Sequence, residues 1–255
     1  MLPSAADHAD AARIADEAGR LLLELRAVLD GDGANVDALR DEGDRRSHEL
    51  IVEALAESHP SDPVLSEEGR ADPARLQDRR VWIVDPLDGT REFGEPGRTD
   101  WAVHVALAVD GSPVAGAVAL PARGITLSTA SAPPLPPAAP SRPRLVVSRT
   151  RAPELCAAVA DRLGADLMAM GSAGAKAMAV VLGEADVYLH AGGQYEWDSA
   201  APVAVAAAAG LHVSRLDGSP LRYNRRDPWL PDLLVCHPEL AVPVLHAVAT
   251  EVDGA

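Results

Sequence analysis

The stretch "APPLPPAAPSRP" (132–143) does most to limit what this chain can fold into. Proline has a fixed φ and no N–H to donate, so this density of it excludes a helix or a central strand. The segment reads as an ordered or semi-rigid linker, and the sequence patterns differ on its two sides. A boundary near residue 140 therefore divides the chain into an N-terminal domain, 1–140, and a C-terminal domain, 141–255.

Before the linker, residues 4–29 predict a helix. Ile14, Ala18, Leu21, Leu22, Leu25 and Val28 recur at helical spacing, and Gly31 and Gly33 end it. A second helix is expected from about Asp44 to Ser58, with Leu50, Ile51, Ala54 and Leu55 inward. Short strands follow at 63–66 and 81–85. The run "WAVHVALAVDGSPVAGAVALP" predicts a hairpin about Asp110-Gly111, and "GITLSTA" another strand. After the linker the pattern alternates: strand 144–148, helix 153–163, strand "DLMAM", helix 173–182, strand "ADVYLH", helix Ser199–Ala209, strands near 211–215 and 232–236, and a last helix from Pro238. Such alternation needs crossover connections and a parallel or mixed sheet. The expected fold is an α+β half packed on an α/β half, with a cleft between them.

Aromatic residues make up only 3% of the 255, so the core must be built from Ala, Val and Leu. A formal net charge of -15 argues against a nucleic-acid polymer as partner, since backbone binding needs clustered cations. It leaves room for a small phosphorylated ligand, because bound cations reverse the local field. Cys156 and Cys236 lie far apart in apolar surroundings and read as buried free thiols rather than a disulfide or zinc pair. No apolar run approaches the roughly 20 residues that span a bilayer, which argues against a membrane protein. The opening "MLPSAADHADAAR" has no basic region followed by an apolar one, so a cytoplasmic enzyme is expected.

Chemistry enters with "VWIVDPLDGTREF" (81–93). One reading is a hairpin turn, with Asp85 and Asp88 as solvated acids. The other starts from the buried strand Val81–Val84, which Pro86 would end. Two carboxylates then stand at a strand end beside a Gly89-Thr90 segment with free N–H groups. Hard oxygen ligands suit Mg²⁺, and exposed N–H groups suit a phosphate. Further acids would join them. "LSEEG" puts Glu67 and Glu68 at the end of a short strand. Asp44 and Asp198 ("YEWDSAAP") stand at helix starts, where an N-cap role alone would also explain them. Acids converging from both halves would repel unless divalent metals neutralise them, and two or three Mg²⁺ ions need about this many oxygens. The reaction class that follows is metal-assisted hydrolysis of a phosphate monoester.

"DPLDGT" after an apolar strand, "EE" upstream and "WDSAAP" downstream resemble the inositol monophosphatase-like superfamily of Mg²⁺-dependent, Li⁺-sensitive phosphatases, in order and spacing across nearly the whole chain. Within it, "DPLDGTREF", "LSEEG" and "YEWDSAAP" look most like the CysQ branch, particularly its actinobacterial members, which removes the 3′-phosphate of 3′-phosphoadenosine 5′-phosphate (PAP). The resemblance implies a layered α/β/α/β/α sandwich. It implies Glu67, Asp85, the Leu87 carbonyl, Asp88 and Asp198 as metal ligands, and Asp44 with Thr90 to orient and deprotonate the attacking water, Glu67 assisting. It implies the N–H groups of Gly89 and Thr90 as holders of the scissile phosphate, and a homodimer as the assembly to test. The approach "K-x-x-D-x-V-T-x-x-D" of many relatives is here "ANVDALRDEGD", with no Lys or Thr before Asp44. That assignment rests on the offset from Glu67 and on the helix that follows, and Asp41 competes for the role.

Substrate choice turns on "GSAGAKAMAVVLGEADVYLH" (171–190). Gly171, Ser172 and Ala173 would present N–H groups to a ligand, and Lys176, the only Lys against 22 Arg, would meet a second phosphate unless it is simply exposed. Arg149 is a further anion candidate. Tyr195 either packs the wall or flanks a base or sugar. His8, His48, His104, His190, His212 and His246 show no metal-ligand spacing and receive no role. The reading is a PAP phosphatase. Inositol-1-phosphate or fructose-1,6-bisphosphate hydrolysis is the alternative within the class, and a non-catalytic metal- or phosphate-binding regulator the alternative outside it.

Overall fold

In the computed structural model, which describes residues 2–27, 35–70, 72–150 and 153–253, the strands form two five-stranded sheets. Helix α1 (Ala5–Arg26) opens with a capping box in which Ser4 and Asp7 satisfy each other's backbone N–H. The expected end of this helix, at Val28, Gly31 and Gly33, lies outside the described residues. Helix α2 (Val36–Ser58) starts eight residues before the expected Asp44. The Asn35 side chain caps it by accepting the Ala38 N–H, and Arg45 pairs with Glu42 and Glu49 along the exposed face.

The first sheet runs β1 (Val64–Ser66), β2 (Arg80–Asp88), β3 (Ala102–Val109), β4 (Ser112–Leu120), β5 (Ile125–Ser128) in spatial order. Only β1 and β2 pair in parallel. The β3–β4 turn has φ of 51° at Asp110 and 75° at Gly111, the left-handed pair that a two-residue hairpin requires. A four-residue helix, α3 (Thr90–Phe93), follows β2. The second sheet is mixed, in the order β7 (Asp166–Met170), β6 (Arg144–Ser148), β8 (Val187–Tyr195), β10 (Trp229–Cys236), β9 (His212–Ser214). Helices α4 (Glu154–Leu163), α5 (Ala173–Val181), α6 (Glu196–Ala208) and α7 (Ala241–Asp253) complete the fold.

Strand alternation sorts the core into three layers of side chains. Trp82, Val84, Val103 and Val105 face α1 and α2, while Val81, Ile83 and Ala106 face α5 and α6. Across those helices, Val146, Tyr188 and Val235 close the central layer from the second sheet, and Leu145, Val187 and Cys236 face α4 and α7. The result is the expected α/β/α/β/α stack. Cys156 and Cys236 are buried free thiols. No helix among the described residues is long and apolar enough to cross a membrane.

Candidate active site

Pro86 does not end strand β2. The ladder pairs Asp85 with His104 and next Asp88 with Ala102, so two residues of β2, Pro86 and Leu87, oppose the single Val103. This bulge resolves the spacing of the acids. In a regular strand, positions three apart face opposite sides, and one extra residue returns Asp88 to the side of Asp85. Leu87 N–H donates to Asp85 Oδ1 at 3.1 Å across the bulge, and the Ser47 hydroxyl donates to the Pro86 carbonyl at 2.7 Å.

Asp198 arrives from the second half. Helix α6 starts at Glu196, three residues earlier than expected, so Asp198 is its third residue and not its N-cap. Its carboxylate accepts the Tyr195 N–H at 2.6 Å. The buried Glu196 fixes this end by accepting N–H groups from Asn224 (2.7 Å) and Arg225 (2.8 Å). Asp85, Asp88 and Asp198 thereby offer three oxygens within 4.8 Å of one another. They line, with Glu67, Leu87, Gly89, Thr90, Ser172 and Lys176, a cavity of about 650 Å³ between the two sheets.

Asp44 comes from the third turn of α2, not from its start, and the N-cap reading of this residue is replaced. It is not in the cavity lining and approaches the site through Thr90, because Gly43 lets the helix lie against Leu87 and Phe93; a Cβ at Gly43 would stand 2.9 Å from the Phe93 ring. The Thr90 hydroxyl is 3.4 Å from Asp44 Oδ1 and 3.1 Å from the Leu87 carbonyl. Asp41 is exposed on the same helix. Gly89 takes φ of 88°, and a Cβ there would crowd Ser172 (3.1 Å) and the Asp100 carbonyl (3.3 Å), so the turn after Asp88 needs glycine twice over.

The electrostatics are those of acids assembled in excess of fixed cations. Burial, then repulsion from Glu67 and Asp88, pushes Asp85 well above the usual carboxylate range. Burial and the Asp88 charge raise Asp198 to about 6, and burial with Glu68 and Glu67 raises Asp44 to about 7. Glu67, at the open mouth of the cleft, is raised to about 7 by desolvation and Asp198. Asp88 is the exception: burial alone would raise it, but His104, Lys176 and Ser172 hold it below the usual range. A set of close, partly buried carboxylate oxygens that repel one another fits hard divalent cations such as Mg²⁺.

Other expected residues are placed differently. Lys176 is buried, not exposed, and its Nζ donates to the carbonyls of Ser172 (2.5 Å) and Gly171 (3.3 Å). The N–H groups of residues 171, 173 and 174 are taken by protein acids: Gly171 donates to Asp100, and Ala173 and Gly174 to Asp88. Ser172 Oγ also donates to Asp88, at 2.5 Å. Arg149 is not in the cavity lining, and its guanidinium is committed to Glu92 (2.5 Å) and Glu95 (2.6 Å). Tyr195 lines the cavity, half-exposed and stacked on Trp197 with ring centroids 4.8 Å apart. His104, which received no role from the sequence, lies fully buried among the acids, and His190 and Gln194 line the cavity. The available signal for His104 was a lone imidazole in the otherwise apolar run "AVHVALAV".

With two layered sheets and an acid-lined cavity between them, the architecture is that of a sugar-phosphatase-type fold. The chain belongs to the inositol monophosphatase family, whose model matches residues 6–134 and 138–250. It is 51% identical over 241 residues to the 3′-phosphoadenosine 5′-phosphate phosphatase of Mycobacterium bovis, covering 91% of this chain and 90% of that one. To the 3′(2′),5′-bisphosphate nucleotidase CysQ of Escherichia coli K12 it is 34% identical over 201 residues, 73% of this chain and 80% of the relative. The crystal structure of CysQ from Bacteroides thetaiotaomicron superposes with a TM-score of 0.77 at 29% identity, covering 91% of this chain and 97% of that one.

Proposed function

We propose that this chain is a Mg²⁺-dependent phosphomonoesterase that removes the 3′-phosphate of PAP, giving AMP and phosphate. The observation that carries the reading is the meeting of Asp85, Asp88 and Asp198 from both halves beside the Gly89-Thr90 turn. The 51% identity to a protein named as a PAP phosphatase supports the substrate.

Glu67, Asp85, the Leu87 carbonyl, Asp88 and Asp198 would hold two or three Mg²⁺ ions. Bound there, Mg²⁺ supplies charge that stabilises the phosphoryl oxygens and lowers the pKa of water. The protein's own share is positional. Asp44 and the Thr90 hydroxyl form a pair that orients the attacking water and takes its proton. The N–H groups of Gly89 and Thr90 receive the scissile phosphate. Lys176 places a positive charge in the same wall, toward a second phosphate, and Tyr195 flanks the base or sugar at the rim. Ser172 serves through its bond to Asp88. Arg149 braces α3 against the second half through Glu92 and Glu95, which is its role in place of substrate binding. The enzyme is read as cytoplasmic and as a homodimer.

The test is kcat/KM with Mg²⁺ on PAP, inositol 1-phosphate and fructose 1,6-bisphosphate. PAP preferred by tenfold or more supports the reading. A preference for either other substrate moves the assignment within the family, and no hydrolysis of any of the three makes the chain a binding protein.

A further inference from the structure

Among the described residues, His104 is the one imidazole buried among the acids of the site, and it touches both halves of the molecule. It sits on β3 directly opposite Asp85, in the first sheet, with no exposed surface. Its Nδ1–H donates to the carbonyl of Trp197, the residue before Asp198, at 3.0 Å. Its Nε2 lies 3.2 Å from Asp88 Oδ2, off the line of an aligned hydrogen bond. Helix α5 closes over the ring so tightly that a Cβ at Gly174 would stand 2.0 Å from Nε2.

The partners of Asp88 give this contact a consequence. Oδ2 accepts from Ser172 Oγ and from Gly174 N–H (2.6 Å) and also faces His104 Nε2, so its two lone pairs are committed within the protein. Oδ1 accepts a single bond, from Ala173 N–H at 3.1 Å. It is left with capacity for another partner.

We propose that His104 is a positioning residue for the metal site: a strut packed between Asp88 Oδ2 and the start of α6 that holds the Asp88 carboxylate with Oδ1 toward the cation and fixes the separation of Asp88 from Asp198. This rests on the reading of Asp85, Asp88 and Asp198 as metal ligands. The ring does not touch substrate, and its effect passes through the two carboxylates. Outer partners of metal-ligating groups typically change metal affinity by 10- to 100-fold when removed.

The experiment measures binding, not turnover. Mn²⁺, which accepts the same oxygen ligands as Mg²⁺, is titrated into the full chain without substrate, and free Mn²⁺ is counted by EPR. His104→Leu keeps the volume and removes both contacts. It is expected to weaken Mn²⁺ binding about tenfold, with folded secondary structure by circular dichroism. His104→Gln, which can still reach Asp88, and His104→Asn, which can still reach Trp197, are expected to lose less. Folded His104→Leu with unchanged Mn²⁺ affinity overturns the proposal. If the Leu variant does not fold, the two amides decide: a loss of threefold or more in either supports the strut, and a loss of less than threefold in both overturns it. A parent protein that binds no Mn²⁺ overturns the metal reading, and the strut with it.

Discussion

Stripping divalent cations from the protein should make its stability fall as pH rises from about 5 to 7.5, and the site says by how much. Asp198 titrates at about 6 and Asp44 at about 7 in the folded chain, against an ordinary value of 3.8. Each carboxyl therefore keeps its proton in the folded state at pH values where the unfolded chain has lost it. The folded state binds more protons, so stability decreases with pH from near 4 until the folded pKa is passed. Between pH 5 and 7.5 the linkage amounts to about 1 kcal/mol for Asp198 and about 2–3 kcal/mol for Asp44. Both side chains are half-buried, and halving for solvent screening leaves about 2 kcal/mol. His104 adds the same sign: despite burial, Asp88 raises its pKa, so its contribution is present at low pH and lost as pH rises. For a chain of this size about 2 kcal/mol corresponds to a Tm lower by about 4–8 °C at pH 7.5 than at pH 5. Differential scanning calorimetry with EDTA reads this directly. Millimolar Mg²⁺ should restore more of the Tm at pH 7.5 than at pH 5, because only ionised acids bind it. A cation-stripped protein that is equally or more stable at pH 7.5 would show that these acids do not repel one another, and the metal site would lose its physical basis.

Asp85→Asn should abolish Mg²⁺-dependent hydrolysis while raising the Tm of the cation-stripped protein near neutral pH, since burial and Glu67 oblige the native carboxyl to take up a proton on folding and an amide needs none; normal turnover in this variant would remove Asp85 from the site. Gly174→Ala should cost about 1–3 kcal/mol by urea unfolding, because the clash with His104 outweighs the gain of about 1 kcal/mol in helix propensity; a stabilised variant would show that α5 does not close on the imidazole. Lys176→Ala should lower kcat/KM for PAP more than for a monophosphate such as 2′-AMP, and equal losses would make its bonds to Gly171 and Ser172 its whole role. Millimolar Li⁺ should inhibit PAP hydrolysis, and an insensitive enzyme would stand apart from the Li⁺-sensitive phosphatases it resembles.

Asp85, Asp88 and Asp198 were legible from the sequence as short motifs, "DPLDGT" and "WDSAAP", whose resemblance to a known family survives without any tertiary information, although the local signs of strand and helix ends misplaced Pro86, Asp44 and Asp198. The two halves were legible because the continuous apolar runs in "RVWIV" and "RLVVS" follow from packing on both faces of each sheet, while the five-layer stack came from the resemblance. Errors arose where a long-range contact overrides a local sign. Gly43 looks like a helix break, yet it is the point where α2 rests on Phe93, and the helix runs through it from the Asn35 cap. Ser172 and the N–H groups near it look like an anion site, and an anion does occupy them, but it is Asp88 from the other half. Arg149 looks free until Glu92 and Glu95 are brought beneath it by α3. The bulge at Pro86 explains the common thread. Until the register of β2 on β3 is known, Asp85 and Asp88 stand on opposite faces by simple alternation, and His104 has no reason to be near either. One inserted residue puts both acids and the imidazole on a single face, so the chemistry of this site depends on a pairing that no local pattern encodes.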